Sequence, residues 1–540
     1  MEIIFAFLCV NPDSYRDLQE TKGSQLFSRP SCIFPRQKLL PVGNQSASIS
    51  VTLQLRNIIR KYMRVFHFPS TRWMLGLMMI VLLATCKDED EVTPSTTTST
   101  DNSYVDNWIL ENMKFWYYWN DKIPSSPDLT LGPEDFFSSL LYSADRFSWI
   151  QENYQDLLNS LQGVSKEAGY EYVLYRESSS NDHVIAQIVY VKPSSPAATA
   201  GLKRGDVITY INDTQMTISN YQSLLAATTS DYTIHYRPLN LDKEQFDSEK
   251  TLSLSVVEYQ EDPNFLHSTI TSGNHTIGYY VYNFFATGAD SQSTTYDDEM
   301  ESVFADFKAK GITDLVLDLR YNSGGSETSA NNLASLIGTG VTSSSVFLKR
   351  EYNDSVQTEI INDPTLGESY LTAHFTSKTS NVGSILQGSK VYVLTSGRTA
   401  SASELVINAL KPYMQVYIIG DTTYGKNVGS ISLYEENDAK NTWGMQPIVL
   451  KVYNALGQSD YANGFVPDLY DGDNSMLLYP LGDVRETLLS EAIGQITGTS
   501  TIGRQEQHER KTILGTSIER KPRSFSLVAD GLDFRKVMSN

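Results

Sequence analysis

The chain has 540 residues, more than one ordinary hydrophobic core accommodates, so several folded units are predicted. Its composition is typical of a globular protein, and its formal net charge of -20 argues against nucleic-acid binding, which needs a basic surface. The chain has three cysteines, Cys9, Cys32 and Cys86, and none follows residue 86. The chain beyond residue 86 can therefore form neither an internal disulfide nor a thiolate zinc cluster.

An apolar run over residues 75–84 is too short to span a bilayer, which needs about 20 residues. Arg64 and Arg72 precede it, so we predict a signal peptide over residues 63–85. The run ends in Leu-Ala-Thr-Cys86, which resembles the lipobox of bacterial lipoproteins and implies a lipid anchor on Cys86. A buried apolar helix followed by an unrelated cysteine is the alternative.

Residues 86–101 are predicted to form an acidic, threonine-rich tether. The acidic run after Lys87 resembles the surface-export signal of Bacteroidetes lipoproteins, although a plain solvated charge run is an equal alternative. Together these features predict a bacterial outer-membrane lipoprotein on the surface or the periplasmic side. Residues 1–62 are then interpreted as a non-native leader or an over-long start ahead of Met63.

Residues 102–164 are predicted to form a helical N-terminal domain. Its aromatic residues include Trp108, Trp116 and Trp119, mixed with polar positions. An aromatic stripe of this kind more often packs into a core than binds a ligand, so we predict core packing.

Residues 165–260 have β-rich stretches at 170–175 and 184–191, followed by a proline turn, a short helix and a further strand. The order Ser-Pro-Ala, Ala-Gly-Leu-Lys-x-Gly-Asp-x-Ile and Ile-Asn over residues 195–212 resembles a PDZ domain. Such domains add an extended peptide to a sheet edge and hold its terminal carboxylate in a loop, here expected near Gly169–Tyr172. A PDZ fold that only packs or gates is the alternative.

Residues 264–495 alternate strands and helices, which predicts an α/β unit. The predicted strands cover 277–285, 315–319, 391–394 and 416–419, and predicted helices lie near 300–307, 331–337 and 402–410. Residues 496–540 are polar and locally basic, so we interpret them as a tail or a weakly packed extension. The predicted fold class is therefore multidomain α/β, with a helical N-terminal region and a PDZ domain.

Three segments of the α/β unit carry candidate chemistry. A strand ends in Gly324-Gly325, where the backbone can approach a ligand; Ser401 precedes a helix; and Lys426 follows a strand in a glycine loop. Taken alone, each has a plain structural interpretation: a turn, an N-cap serine with Glu404 completing a capping box, and a solvated lysine. The seven histidines form no partner pattern, but a buried lysine can act as the base of a serine nucleophile when its pKa falls toward 7–8.

Together these segments resemble tail-specific, or C-terminal processing, serine peptidases, which carry Asp-Leu-Arg-x-Asn-x-Gly-Gly, Ser-Ala-Ser-Glu and Phe/Tyr-Gly-Lys motifs beside a PDZ domain. A later Gly-Phe-Val-Pro-Asp segment at 464–468 is similar to the family's closing motif. The resemblance implies a crotonase-like ββα-spiral peptidase domain over 264–495. It also implies the following roles: Ser401 as nucleophile, Lys426 as base, Gly324 and Ala402 as oxyanion donors, and Glu404 and Thr423 in support, with orientation of the lysine amine as one such supporting role.

Some family members carry an aspartate eleven residues after the nucleophile, where this chain has Pro412, so a Ser-Lys dyad is expected rather than a triad. The predicted activity is hydrolysis of peptide bonds in protein or peptide substrates engaged through the PDZ domain, with no cofactor and no metal. The alternatives are a catalytically inactive peptide-binding surface lipoprotein and, with less support, a subunit of a glycan-uptake system.

Overall fold

The computed structural model of the protein describes residues 99–290, 292–436, 438–499 and 512–529. The predicted leader, the signal peptide, Cys86 and most of the tether lie outside these residues. Within them, no helix combines the length and the apolar character needed to cross a membrane.

The N-terminal region is helical and packs its aromatic residues into the main core. Its elements are α1 (Ser99–Trp116), α2 (Pro133–Leu140), β1 (Trp149–Gln151) and α3 (Tyr154–Leu161). Trp116, Phe136 and Phe137 are completely or almost completely buried, and Trp108 and Trp119 pack against the same core. The prediction that this aromatic stripe forms core packing is confirmed.

The PDZ region consists of one larger antiparallel sheet, two separate strand pairs and two short helices. Its strands and helices are β2 (Val164–Glu167), β3 (Tyr170–Arg176), β4 (Val184–Val191), α4 (Pro196–Thr199), β5 (Val207–Ile211), β6 (Thr214–Gln215), α5 (Tyr221–Ala226), β7 (Tyr232–Arg237), β8 (Leu239–Asn240), β9 (Gln245–Phe246), β10 (Lys250–Leu254) and β11 (Val257–Gln260). In the order β10-β7-β5-β4-β3, the outer side of β3 pairs with a strand of the C-terminal segment, which is described below. The expected carboxylate loop at Gly169–Tyr172 is mostly strand, because β3 begins at Tyr170.

The α/β region contains two six-stranded sheets and contributes two short strands to a third sheet, which β1 completes. Its elements are β12 (Leu266–Ser272), β13 (His275–Val281), α6 (Thr295–Ala309), β14 (Asp314–Asp318), β15 (Gly325–Ser326), α7 (Glu327–Ile337), β16 (Val346–Tyr352), α8 (Asp354–Asn362), β17 (Thr372–His374), β18 (Lys390–Thr395), α9 (Ala402–Leu410), β19 (Gln415–Gly420), β20 (Val428–Ser430), β21 (Leu433–Tyr434), β22 (Gly444–Gln446), β23 (Ile448–Tyr453), β24 (Leu469–Tyr470) and α10 (Thr487–Thr497). The elements predicted from the alternating pattern are all present, with shifted ends. The multidomain α/β prediction is confirmed.

The first of these sheets has the order β12-β13-β14-β18-β19-β24 and is parallel from β13 onward. Its side chains alternate between two cores, as the period of two in a strand requires. Leu315 and Leu317 join the core that includes residues of α6, α7 and α9, whereas Val316 joins the one that includes residues of α10. Because the strands run parallel, the loops after β14, β18 and β19 leave the sheet at the same edge, and these loops carry the predicted site.

The C-terminal segment is packed, so the prediction of a weakly packed extension is wrong for its described part. Strand β25 (Ile513–Thr516) pairs antiparallel with β3 of the PDZ sheet. Strand β26 (Leu527–Val528) pairs parallel with β15 and β20 of the second sheet, whose order is β15-β26-β20-β23-β16-β17. Backbone pairing and the burial of Leu527, rather than local composition, decide its structure.

A buried cluster of charged residues joins the PDZ region to the α/β region. Arg204, between α4 and β5, approaches Asp473 Oδ1 at 3.2 Å and Glu486 Oε1 at 3.4 Å. Arg320, just after β14, binds the same Glu486 at 2.5 Å and Asp318 at 2.9 Å. Burial disfavours every one of these charges, but the two guanidinium groups outweigh that effect and hold the pKa of Asp473 well below its usual range.

Candidate active site

Ser401 lies between strand β18 and helix α9 in a conformation that is unfavourable for a residue with a side chain. Its φ is 60° and its ψ is -110°, and such backbone strain costs on the order of 1–3 kcal/mol. The residue is fully buried, and its hydroxyl oxygen takes part in no hydrogen bond of standard geometry with the described residues. Strain of this kind is common at functional sites.

Lys426 is buried beside this serine loop. Its Nζ donates to Phe525 O at 2.5 Å and lies 4.9 Å from the centroid of the Phe147 ring. Burial lowers the pKa of Lys426 to about 7, although the negative charges of Asp145 and Glu404 oppose the shift. A neutral amine is therefore well populated near neutral pH, as a general base requires.

Glu404 connects the loop of Ser401 with the loop of Lys426. Its Oε2 accepts from the amides of Ser401 and Lys426, both at 2.8 Å, and its Oε1 accepts from Thr423 Oγ1 at 2.6 Å and Gly425 N at 2.8 Å. Burial raises the pKa of Glu404 to about 7, against the effect of these donors. Glu404 thus binds the backbone amide of Lys426, whereas the family resemblance implies a role in orienting the amine.

The glycine turn after β14 approaches the same serine. Asn322 O accepts from Ala400 N at 3.2 Å and from Ser403 Oγ at 3.1 Å, which ties the turn to the serine loop. Gly324 has a φ of 110°, and a Cβ there would overlap Ser526 O and stand 2.8 Å from Ser401 Cβ. Only glycine therefore fits, and the three motifs of the sequence meet around Ser401.

The predicted oxyanion donors have different environments. Gly324 N donates to Asn322 Oδ1 at 2.9 Å, so that amide is engaged within its own turn. Gly325 N instead donates to Ser526 O, at 2.5 Å. Ala402 is the first residue of α9, where helix amides have no acceptor inside the helix. An anion at this place would therefore meet the amide of Gly325 as well as that of Ala402.

Sequence reasoning missed three contributors to the site: Asp145, Phe147 and Phe525. The first two belong to the N-terminal region, where neighbouring Arg146 also donates to Gly425 O at 3.0 Å. Phe525 belongs to the C-terminal segment and stacks on Tyr424 with ring centroids 3.9 Å apart. No local pattern marks these residues, because their role depends on contacts between distant parts of the chain.

Three carboxylates lie close enough together to be considered for a metal. Oxygens of Glu167, Glu171 and Glu261 lie within 4.8 Å of one another. The ammonium group of Lys192 pairs with all three, at 2.8 Å from Glu261 and 3.0 Å from Glu171. A lysine nitrogen thus occupies the position that a cation would take.

An α/β domain with a strained serine, a buried lysine and a glycine turn at one sheet edge, preceded by a PDZ sheet, defines a serine-type peptidase with a PDZ domain. Comparison with known families agrees. Residues 276–470 match Peptidase family S41, residues 104–149 match the Peptidase S41 N-terminal domain, and residues 187–231 match a PDZ domain. The chain thus carries a peptidase S41 domain and a PDZ domain.

Individual relatives support the same assignment. The chain is 26% identical over 341 residues to a carboxy-terminal-processing protease of Bartonella bacilliformis, covering 62% of this chain and 68% of the relative. It is 25% identical over 324 residues to a carboxyl-terminal-processing protease of Picosynechococcus, covering 59% and 67%. A crystal structure of a putative S41 protease from Bacteroides fragilis is 28% identical, with a TM-score of 0.60 over 73% of this chain and 97% of that one.

Proposed function

We propose that the chain is a serine endopeptidase that processes C-terminal regions of protein substrates, with Ser401 as nucleophile and Lys426 as general base. The observation that carries the proposal is the buried Lys426 amine, with a pKa of about 7, in a loop that Glu404 fastens to the loop of Ser401. The family and its carboxy-terminal-processing relatives support the class of reaction.

The neutral Lys426 amine takes the Ser401 proton as Oγ bonds to the carbonyl carbon of the scissile peptide. The carbonyl electrons move to oxygen, and backbone amides of the glycine turn and of Ala402 stabilise the resulting oxyanion. The ammonium group then returns its proton to the leaving amine while the C–N bond breaks and an acyl-enzyme forms. Water, deprotonated by the same amine, hydrolyses this ester and restores the serine.

The PDZ sheet supports engagement of an extended substrate. Strand β3 lies at the edge to which such a domain adds a peptide strand, and in this structure β25 occupies that edge. A substrate strand on β3 would be directed toward the cleft of the α/β region. Capture of a terminal carboxylate near Gly169–Tyr172 remains a prediction, because β3 already begins at Tyr170.

The decisive experiment compares the full chain with Ser401→Ala and Lys426→Met on reporter proteins that carry unstructured C-terminal extensions, with cleavage followed by mass spectrometry. Each variant should lose at least about a thousandfold in rate while keeping its circular dichroism spectrum. Lys440→Met, at an exposed lysine, is the matched control and should cleave like the wild type. Near-normal cleavage by either site variant would refute the assignment, and binding without cleavage by the wild type would favour the inactive peptide-binding alternative.

We also propose that Cys86 carries a lipid anchor in the outer membrane. The apolar run that ends just before this cysteine, and the acidic tether after it, support the proposal. Conversion of Cys86→Ala in cells should move the protein from the membrane fraction to the soluble fraction. An unchanged distribution would contradict lipid anchoring at this residue.

A further inference from the structure

The C-terminal segment follows the path that a substrate would take from the PDZ sheet to the catalytic residues. Strand β25 adds to β3, and the next residue, Ser517, binds Tyr172 through both its backbone and its side chain. Ile518 is buried against the PDZ face that meets the α/β region. The chain then turns and reaches the glycine turn, where β26 pairs with β15.

Between these two strands, the segment supplies cations to the same three carboxylates. Lys521 pairs with Glu171 and lies 3.5 Å from Glu167, and Arg523 binds Glu261 at 2.6 Å. Without the segment, Lys192 alone would face three carboxylates. With it, three cations balance three anions, which buried charges require.

The titration behaviour of Glu261 agrees with this matching of charge. Burial alone would raise the pKa of its carboxyl group. The positive charges of Lys192, Arg523 and Lys521 outweigh burial and lower the pKa well below its usual range. Two of those three cations belong to the C-terminal segment.

In the cleft, the segment occupies the groups that the proposed reaction needs. Phe525 stacks on Tyr424, and Phe525 O accepts the hydrogen bond of Lys426 Nζ. Ser526 O accepts from Gly325 N at 2.5 Å. A Cβ placed on Gly324 would lie close to both Ser526 O and Ser401 Cβ. The Ser526 carbonyl is therefore next to the predicted nucleophile.

We propose that Glu167, Glu171 and Glu261, together with the Tyr424 ring, form a recognition site for a peptide of the pattern basic-x-basic-x-aromatic, and that residues 512–529 occupy this site in cis and keep the catalytic cleft closed. The inhibitory part rests on the proposed peptidase function, whereas the binding site does not. Phe525 has a φ of 60°, and its carbonyl engages the amine that Ser401 would need, so the bound segment is held in an unproductive arrangement.

The bound segment has two consequences for the cleft. Release of the segment frees the Lys426 amine to bond with Ser401 Oγ, so release and activation are one event. A peptide that competes for the cleft must replace two buried cations, which favours substrates that present Lys or Arg two residues apart ahead of an aromatic residue.

The first test measures occupancy without catalysis. Hydrogen–deuterium exchange is followed in full-length Ser401→Ala protein, with and without Lys521→Glu and Arg523→Glu. The double reversal should raise exchange in residues 513–529 and at Gly325 by about tenfold or more, because it places like charges beside the three carboxylates. Arg520→Glu is the matched control, since Arg520 is exposed and interacts with Tyr172, and it should leave most of the protection in place. Unchanged protection in the double variant would overturn the site.

The second test uses a synthetic peptide with the sequence of residues 517–529, added to the full-length Lys521→Glu, Arg523→Glu protein, in which the cleft is vacated. Fluorescence anisotropy should show saturable binding of this peptide. A peptide with alanine at both cationic positions should have a Kd at least about tenfold higher. Equal binding of the two peptides would overturn recognition of the basic pattern.

Activity separates this inference from the proposed function. With an active Ser401, the double reversal should cleave reporter proteins several times faster than the wild type, and the peptide should inhibit it. If no variant cleaves anything while exchange and anisotropy behave as expected, the peptidase assignment fails and the binding site stands. If the wild type and the double variant cleave equally fast, or if the wild type is isolated already cut within 512–529, closure by the segment is wrong.

Discussion

One oxygen of Glu404, Oε2, accepts a hydrogen bond from the amide of Ser401 and another from the amide of Lys426, both at 2.8 Å. The carboxylate therefore sets the spacing of two loops that lie more than twenty residues apart in the chain. Its other oxygen holds Thr423 and Gly425. All four donors lie in the two loops that carry the proposed reaction.

Glu404→Gln should lower kcat by about a hundredfold with little change in KM. A glutamine side chain can accept on only one side, so two donors would face an amide NH₂ group, and displacement of a catalytic group by about 1 Å costs that much. Steady-state kinetics on a cleavable reporter measures the effect. Glu359→Gln, at an exposed helical position, serves as the control. A change confined to KM would mean that Glu404 acts on substrate binding instead.

The pH profile of kcat/KM should have an acidic limb with its inflection near pH 7. The Lys426 amine must be neutral to accept a proton, so activity is lost as pH falls through its pKa. Asp145 and Glu404 are the carboxylates whose charges raise that pKa, and the Arg146 guanidinium lies beside the same loop.

Glu404 also has a pKa of about 7, so either group could produce the acidic limb of the pH profile. A second variant shows whether the limb belongs to Lys426. Asp145→Asn removes a negative charge that favours the ammonium form, so it should move the inflection to lower pH. Asp156→Asn, at an exposed position, should leave the profile unchanged. An inflection that Asp145→Asn does not move would assign the limb to another group.

Lys426→Met should stabilise the protein, most strongly at acidic pH. The lysine pKa falls from 10.5 to about 7 on folding, so between these values the unfolded chain binds more protons and the free energy of unfolding rises with pH. Below pH 7 the full penalty of the buried lysine applies, and the methionine variant avoids it. Urea denaturation should therefore give a difference that is largest below pH 7 and disappears near pH 10.5; the opposite trend would contradict a lysine that is buried in the folded state.

Gly324→Ala should abolish cleavage and displace the C-terminal segment. An added methyl group would overlap Ser526 O and press on Ser401 Cβ, in addition to the backbone strain at a φ of 110°. Gly273→Ala is the control, because its φ is 59° and nothing lies within 4 Å of the added carbon, so it should cost only about 1 kcal/mol of stability. Cleavage and exchange at Gly325 measure the two effects. Full activity of Gly324→Ala would show that the turn is not part of the site.

The parts of the site that the sequence predicts are those with a local signal. The loops of Gly324, Ser401 and Lys426 each follow a strand with a clear apolar pattern, and parallel strands bring their ends to one edge. Asp145 and Phe147 give no such signal, because their contribution comes from contact with a residue about 280 positions later in the chain.

The C-terminal segment differs from the predicted tail for a physical reason. Its basic and polar composition is typical of a solvated tail, and β25 and β26 are too short to show a hydrophobic period. Besides backbone pairing and the burial of Leu527, charge pairing with Glu167, Glu171 and Glu261 stabilises it, and these carboxylates precede it by more than 250 residues. A local pattern cannot reveal that the partners of these cations are buried elsewhere in the fold.

The contacts of Arg204 limit the domain movements by which a substrate could enter the cleft. Its guanidinium group reaches from the PDZ region to Asp473 and Glu486, and the side chain is only 6% exposed. Swinging the PDZ region outward would strip those carboxylates of one counterion while leaving them in a poorly hydrated environment, at a cost of several kcal/mol. We therefore expect the PDZ region and the α/β region to stay in contact while a polypeptide enters. The C-terminal segment is the part that is displaced.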